Sequence, residues 1–256
     1  MSARRNRRSS MAGGLDMSPA LLGLSLAGVL AAPTTQYATN ISSSCASLTY
    51  AGGTGAAAVG PCYYALARTL TTLDHFTGGR IGWNVVTSYL ASAARNLGLG
   101  DQIAHDDRYG IADEFLDVVY KLWEGSWEDG AVLRDRDTGV FTDPEKVHRI
   151  RHEGEYFRYD GYFPAIPSPQ RTPLLLQAGT SSAGRAFAGR FAECVFIQDR
   201  DLDVAARVVA DLRERAVANG RRPQDIKVID AVSIIVGETE EEAQRLRAEL
   251  DATPSM

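Results

Sequence analysis

Leu66-Ala67-Arg68-Thr69-Leu70-Thr71-Thr72-Leu73-Asp74-His75-Phe76-Thr77-Gly78-Gly79-Arg80-Ile81-Gly82-Trp83-Asn84-Val85-Val86-Thr87-Ser88 is the stretch on which the fold turns. It reads as helix, glycine turn, strand and loop. A second block, His105-Asp106-Asp107-Arg108-Tyr109, opens a long amphipathic helix. A third, Gln177-Ala178-Gly179-Thr180-Ser181-Ser182-Ala183-Gly184-Arg185, joins a buried strand to another helix.

Outward from these blocks, helical and strand periods alternate from Tyr63 onward, which predicts a parallel sheet with helices packed outside it. The strand candidates are Arg80 to Val86, Pro173 to Ala178, Glu193 to Ile197 and Lys227 to Val236. Their apolar content is nearly continuous, as expected when both faces are covered. In Asp107 to Trp123, the residues Ile111, Phe115, Val118, Val119, Leu122 and Trp123 make one stripe opposite Asp113, Glu114, Asp117 and Lys121. Asp201 to Asn219 carries a stripe through Leu202, Ala205, Val208, Val209 and Leu212, and stops at Asn219-Gly220. Thr239 and Glu242 stand in capping-box spacing before a last helix. Between Trp123 and Pro173 the alternation breaks, and His148 to Pro169 is rich in Tyr, Phe, Arg and Pro.

The chain has 256 residues, 45% hydrophobic and 23% charged, with a formal net charge of -5. That is ordinary globular composition, long enough to bury a sizeable core as one domain. The acidic balance argues against nucleic acid as a partner. Cys45, Cys62 and Cys194 have no metal-like pair spacing and set no disulfide framework. Cys194, within the apolar stretch Ala192 to Ile197, reads as a small buried hydrophobe.

Three places could do chemistry. Gly179 to Gly184 follows the buried Leu174-Leu175-Leu176 and opens a helix, where hydroxyl residues and free N–H groups suit a phosphate. The plain alternative is that Thr180 or Ser181 caps the helix. His105 and Tyr109, four apart, can face one way and hydrogen-bond one polar ligand, unless His105 is a solvent-facing cap. Asn84 ends its strand before Thr87-Ser88, where polar side chains of a barrel point into the active-site mouth. Its alternative is to satisfy loop backbone. Gly78-Gly79 reads as a turn at the opposite, stability-bearing face, with Arg80 structural. No catalytic triad, Walker loop, dinucleotide fingerprint or metal pair occurs, so no general base is named and no metal is expected.

Taken together, the three blocks resemble flavin-dependent monooxygenases of the nitrilotriacetate and dibenzothiophene-sulfone branch of the bacterial-luciferase-like superfamily, from about Tyr63 to about Leu250. The resemblance implies an α/β fold, a (β/α)8 TIM barrel of the luciferase-like type. The barrel is expected to be partial, since the family's first strands and last strand-helix unit have no counterpart. FMN, in its reduced form FMNH2, is the implied cofactor. Ser181, beside Ser182, matches a serine that contacts the FMN phosphate, and His105 and Tyr109 match flavin-binding positions. Asn84 would join the cofactor pocket. Ser47, in Ser47-Leu48-Thr49-Tyr50, resembles a strand whose hydroxyl residue meets the flavin, whereas the family's acidic flavin contact has no counterpart and Asp16 does not replace it. The segment of about 124–172 is an insertion that in the family lies over the flavin, so Tyr156, Phe157, Tyr159, Tyr162 and Phe163 line the pocket or else pack on their own scaffold.

The activity implied is a two-component one. A separate NADH:FMN reductase delivers FMNH2, oxygen reacts with it, and a flavin hydroperoxide oxygenates a small organic substrate in a cytoplasmic homo-oligomer. The alternatives are an inactive truncated family fragment and a deazaflavin-dependent oxidoreductase of the same superfamily. A third is a secreted binding domain matured after Ala32, because Arg4, Arg5, Arg7 and Arg8 precede the apolar run Ala20 to Ala32. The favoured reading makes 1–19 a disordered basic N-terminus and 20–256 the monooxygenase domain, with Ala20 to Ala32 an early barrel helix too short for stable membrane insertion. Gly52 to Pro61 would be a flexible inserted loop.

Overall fold

The computed structural model describes residues 62–96, 101–199, 201–232 and 234–252. The expectations for the basic start, the Ala20 to Ala32 run, Ser47 and the Gly52 to Pro61 tract fall outside the described residues.

Helix α1 spans Cys62–Thr77. Gly78 and Gly79 then turn the chain at φ of 61° and 84°, a region that residues with a Cβ rarely enter. Strand β1 (Gly82–Asn84) follows, then α2 (Ala91–Asn96) and α3 (His105–Tyr120), which runs on into one π turn over Lys121–Gly125. The aromatic-rich excursion holds two antiparallel hairpins, β2 (Val132–Asp135) with β3 (Val140–Thr142) and β4 (Ile150–Glu153) with β5 (Arg158–Gly161). Regular alternation resumes with β6 (Leu174–Gln177), α4 (Ser182–Phe191), β7 (Cys194–Ile197), α5 (Leu202–Ala218), β8 (Lys227–Asp230) and α6 (Glu240–Ala252).

Strands β1, β6, β7 and β8 form one parallel sheet in that order. Each lies beside the preceding strand of the sheet, the winding of a βα barrel. Among the described residues the sheet is open, with β1 and β8 at its edges. The registers Trp83↔Leu175, Gln177↔Val195 and Ile197↔Asp230 align these residues across the strands. Because side chains alternate along a strand, Trp83, Leu175, Gln177, Val195, Ile197 and Asp230 share one face. Asn84, Leu176 and Cys194 share the other.

The first face carries the core. Trp83 and Leu175 pack with Leu66 and Leu70 of α1 and Ile111, Phe115 and Val119 of α3, while Val195 and Ile197 pack with Ala188, Ala205, Leu212 and Ala216. The predicted α3 stripe is therefore the buried one. Phe115 meets Trp83 at 6.0 Å and Phe157 at 5.6 Å between ring centroids. Each such buried ring contributes roughly 1.5–3 kcal/mol through removal from water.

Phe157 and Phe163 follow neither reading of the excursion: both rings are buried in the α1/α3 core. The hairpin is tied down by Glu114 of α3, whose carboxylate accepts the backbone N–H of Tyr156 (3.0 Å) and of Phe157 (2.8 Å) and meets His152 Nε2 at 3.0 Å. Burial alone raises the Glu114 pKa, but these hydrogen bonds together hold it below the usual carboxylate value. Tyr63 donates to the Arg158 carbonyl, and burial, with Tyr159 beside it, pushes its hydroxyl up to about 12. Tyr162 remains exposed.

Several boundaries differ from expectation. The strand read as Lys227 to Val236 stops at Asp230, because its neighbour β7 ends at Ile197 and the Ala231 N–H makes the last bond, to the Ile197 carbonyl. Val232, Ile234 and Val236 are consequently exposed. Leu202, expected in the α5 stripe, is exposed as well, since it opens the helix beyond the end of the sheet. Strands expected at Arg80 to Val86 and Pro173 to Ala178 shorten to β1 and β6. The α5 stop is as predicted: Gly220 takes φ 68° and the Arg221 N–H returns to the Ala216 carbonyl. Thr239 Oγ accepts the Glu242 N–H, but the Glu242 carboxylate accepts from Glu238, one residue before the cap.

Candidate functional site at the carboxyl ends of the strands

The loop after β6 decides the site. Ala178 to Ser181 leaves the apolar strand, and Ser181, at φ -63° and ψ 164°, accepts the Gly184 N–H at 3.0 Å. The capping alternative is thus realised, and it uses only a lone pair of Ser181, whose proton can go to His105 Nε2 or to a ligand. Ser182 is the first residue of α4 and is exposed. The first N–H groups of any helix lack intrahelical acceptors, so this terminus presents donors and a positive dipole end.

His105 and Tyr109 arrive from α3. Their rings lie 5.2 Å apart, so the four-residue spacing does place them on one face. His105 Nδ1 meets Asp106 Oδ1 at 2.7 Å, and its Nε2 lies 3.3 Å from Ser181 Oγ. A carboxylate beside Nδ1 accepts the proton carried there, which leaves Nε2 facing the Ser181 hydroxyl. The Tyr109 ring packs on Phe187 of α4 at 5.7 Å, and its hydroxyl accepts from Gln177 Nε2 at 3.3 Å. Three of the predicted residues, His105, Tyr109 and Ser181, are thereby brought together from segments about 75 residues apart, with Ser182 adjoining.

Two glycines permit this approach. A Cβ on Gly179 would stand 2.3 Å from the Tyr109 hydroxyl and 2.4 Å from Gln177 Nε2, and one on Gly184 would stand 2.9 Å from that hydroxyl and 2.8 Å from the Gly179 carbonyl. Any larger residue would push the phenol out of the loop. Gln177 and the two glycines are the residues that the sequence reading did not single out for a role. The available signal was a polar residue closing an otherwise apolar strand.

Asn84 sits apart from this group. It ends β1 on the opposite face of the sheet, half-buried, and its Oδ1 has no protein partner among the described residues. Gln177 Oε1 and Asp230 Oδ1 share that property, so three of the four strands end in an unpaired buried acceptor. Ser47 lies outside the described residues. Cys194 is buried, and desolvation raises its thiol pKa, which leaves it chemically quiet. Among the described residues no helix is long and apolar enough to cross a membrane.

The arrangement can hold an anion. Ser181, Ser182, Tyr109 and the α4 terminus all have protons to give, and His105 adds one when its Nε2 is protonated.

The chain belongs to the luciferase-like monooxygenase family, whose model matches residues 53–253. It is 52% identical over 180 residues to the long-chain alkane monooxygenase of Geobacillus thermodenitrificans, covering 70% of this chain and 41% of that protein. It is 42% identical over 181 residues to nitrilotriacetate monooxygenase component A of Aminobacter aminovorans, covering 71% and 40% respectively. A dibenzothiophene-sulfone monooxygenase of Rhodococcus erythropolis is similar at 43% identity, with 75% of this chain and 42% of that protein covered. Among solved structures, a riboflavin lyase with modified FMN and riboflavin superposes with a TM-score of 0.68 at 48% identity, over 73% of this chain and 42% of that one. The chain spans about two fifths of the length of the curated relatives it matches. The fold is accordingly the α/β architecture of the luciferase-like TIM barrels, and the parallel sheet and its winding are the described part of it.

Proposed function

We propose that His105, Tyr109, Ser181 and Ser182 hold the phosphate end of reduced FMN, and that the chain serves an FMNH2- and O2-dependent monooxygenation of a small organic substrate. The reduced flavin is supplied by a separate NADH:FMN reductase. The observation that carries this reading is the meeting of His105 Nε2 and Ser181 Oγ, 3.3 Å apart, at the donor-rich terminus of α4. Gly179 and Gly184 let the Tyr109 hydroxyl come close to this loop, beside the α4 terminus.

Bound FMNH2 supplies the electrons that activate oxygen, one atom of which enters the substrate while the other leaves as water. The chain's own residues bind and orient. Ser181, Ser182 and Tyr109 donate protons to phosphate oxygens, and Asp106 keeps the His105 ring turned to Ser181. Asn84, on the other face of the sheet, offers its unpaired Oδ1 to a donor of the flavin or the substrate. A deazaflavin-dependent hydride transfer is less favoured, since the relatives at 42–52% identity are named monooxygenases.

The test is an anaerobic titration of reduced FMN into the chain and into Ser181→Ala and His105→Ala. Saturable binding, weakened about tenfold or more in each variant, is expected from the loss of a hydrogen bond to a charged group. A second reading, a family member that folds without binding flavin, is favoured by the exposed Val232, Ile234 and Val236 beside the β8 edge. A folded chain that takes up no flavin would establish that reading and reject the first.

A further inference from the structure

Gln177 is the most deeply buried polar residue near the site, only 2% exposed, yet it is half satisfied. Its Nε2 donates to the Tyr109 hydroxyl at 3.3 Å, while its Oε1 is buried without a protein partner. A buried amide left so costs about 1–3 kcal/mol and persists where something else depends on it. The surrounding chain is shaped around the same contact. Gly179 and Gly184 both lack the Cβ that would collide with the Tyr109 hydroxyl, and the Gly179 position is equally closed by Gln177 Nε2.

A phenol has one proton to donate and lone pairs to accept. When Gln177 N–H occupies a lone pair, the Tyr109 proton cannot be spent on Gln177 and is directed outward. The opposite amide orientation would present Oε1 to the phenol and take that proton. An acceptor beside Tyr109 selects the first orientation, and an anion selects it most strongly. We infer that Gln177 is a positioning residue: it turns Tyr109 into an obligate donor toward the phosphate of the flavin, and so sets the preference for FMN over riboflavin. This inference rests on the flavin reading of the site, and it assigns Gln177 an action through Tyr109 rather than on the reacting atoms.

The experiment measures binding of oxidised FMN and of riboflavin, by quenching of flavin fluorescence, to the wild-type chain, Gln177→Met, Gln177→Glu and Tyr109→Phe. Wild type should prefer FMN. Tyr109→Phe removes the proton itself, so FMN binding should fall roughly tenfold while riboflavin binding is unchanged. Gln177→Glu, when ionised, presents only acceptors that take the Tyr109 proton, and should weaken FMN about as much while sparing riboflavin. Adding Tyr109→Phe to it should cost no more than Tyr109→Phe alone, because both act through one contact. Gln177→Met offers the phenol no acceptor, so its FMN binding should fall by about threefold or less, and its flavin-free thermal midpoint should hold or rise, since the unpaired carbonyl is gone. Equal losses for both flavins in Gln177→Glu, or an FMN preference left intact there, would overturn the inference and leave Gln177 a structural residue. A wild-type chain that binds neither flavin overturns the flavin reading together with it.

Discussion

The two ends of the parallel sheet treat buried polar groups in opposite ways. At the amino end, Asp74 is buried beneath the Gly78-Gly79 turn and fully used: its carboxylate accepts the Gln170 backbone N–H at 2.8 Å and the Gln170 side-chain N–H at 2.6 Å, and its carbonyl accepts the Gly79 N–H at 3.0 Å. Gln170 also donates to the Ile81 carbonyl at 3.0 Å. At the carboxyl end, Asn84, Gln177 and Asp230 each keep an unpaired acceptor, and Ser181 and Ser182 stand exposed. At the amino end Asp74 and Gln170 hold the chain together, with Ser168 Oγ left unpaired. At the carboxyl end the unpaired acceptors close three of the four strands, which suits the division between the stability face and the active face of a βα barrel.

That contrast can be broken, beginning with its strongest side. Asp74→Ala should cost about 3 kcal/mol in urea unfolding, because two Gln170 donors lose a charged acceptor in a buried site. The flavin affinity of the chain that remains folded should not change; a parallel loss of affinity would mean the two ends are not separate. Ser181→Ala should do the reverse, lowering stability by only about 1 kcal/mol through loss of the α4 cap while weakening FMN about tenfold or more. A loss of stability comparable to that of Asp74→Ala would make Ser181 a structural residue.

The smallest effect belongs to the excursion, which is joined to the stability side. The folded pKa of Glu114 is lowered from 4.5, so its contribution is present above that value and is lost as pH falls through the folded pKa. Between pH 5 and roughly pH 3, wild type should therefore lose more unfolding free energy than Glu114→Gln does. Identical acid profiles for the two would remove Glu114 as the fastener of the β4–β5 hairpin.

Much of the fold could be read from local pattern. The α3 stripe is buried as its spacing demands, Gly78-Gly79 turns where two glycines meet, and Asn219-Gly220 ends α5. The departures share a cause. The apolar character of Val232 and Leu202 suits a buried position, but burial needs a partner as well as a side chain, and β7 ends too soon to give β8 or α5 one. Phe157 and Phe163 are equally apolar in either reading of the excursion; in the fold the segment is held at Phe157 by Glu114, through the Tyr156 and Phe157 N–H groups, and at Phe163 by Trp127 Nε1, which donates to its carbonyl.

The site divides the same way. The sequence by itself determined which groups could bind an anion: hydroxyls ahead of a helix at Ser181-Ser182, and an imidazole and a phenol four residues apart at His105 and Tyr109. Those are properties of residue type and local spacing, which a chain carries into any fold. Only the tertiary structure decided that α3 and the start of α4 converge, bringing His105 to Ser181 across 76 positions, and that Gln177 closes β6 against Tyr109. Such contacts depend on how strands register and helices pack, and long-range packing leaves little trace in local sequence. The unpaired acceptors at the strand ends are likewise invisible until every neighbour is in place, because an unmet hydrogen bond is a property of the surroundings rather than of the residue.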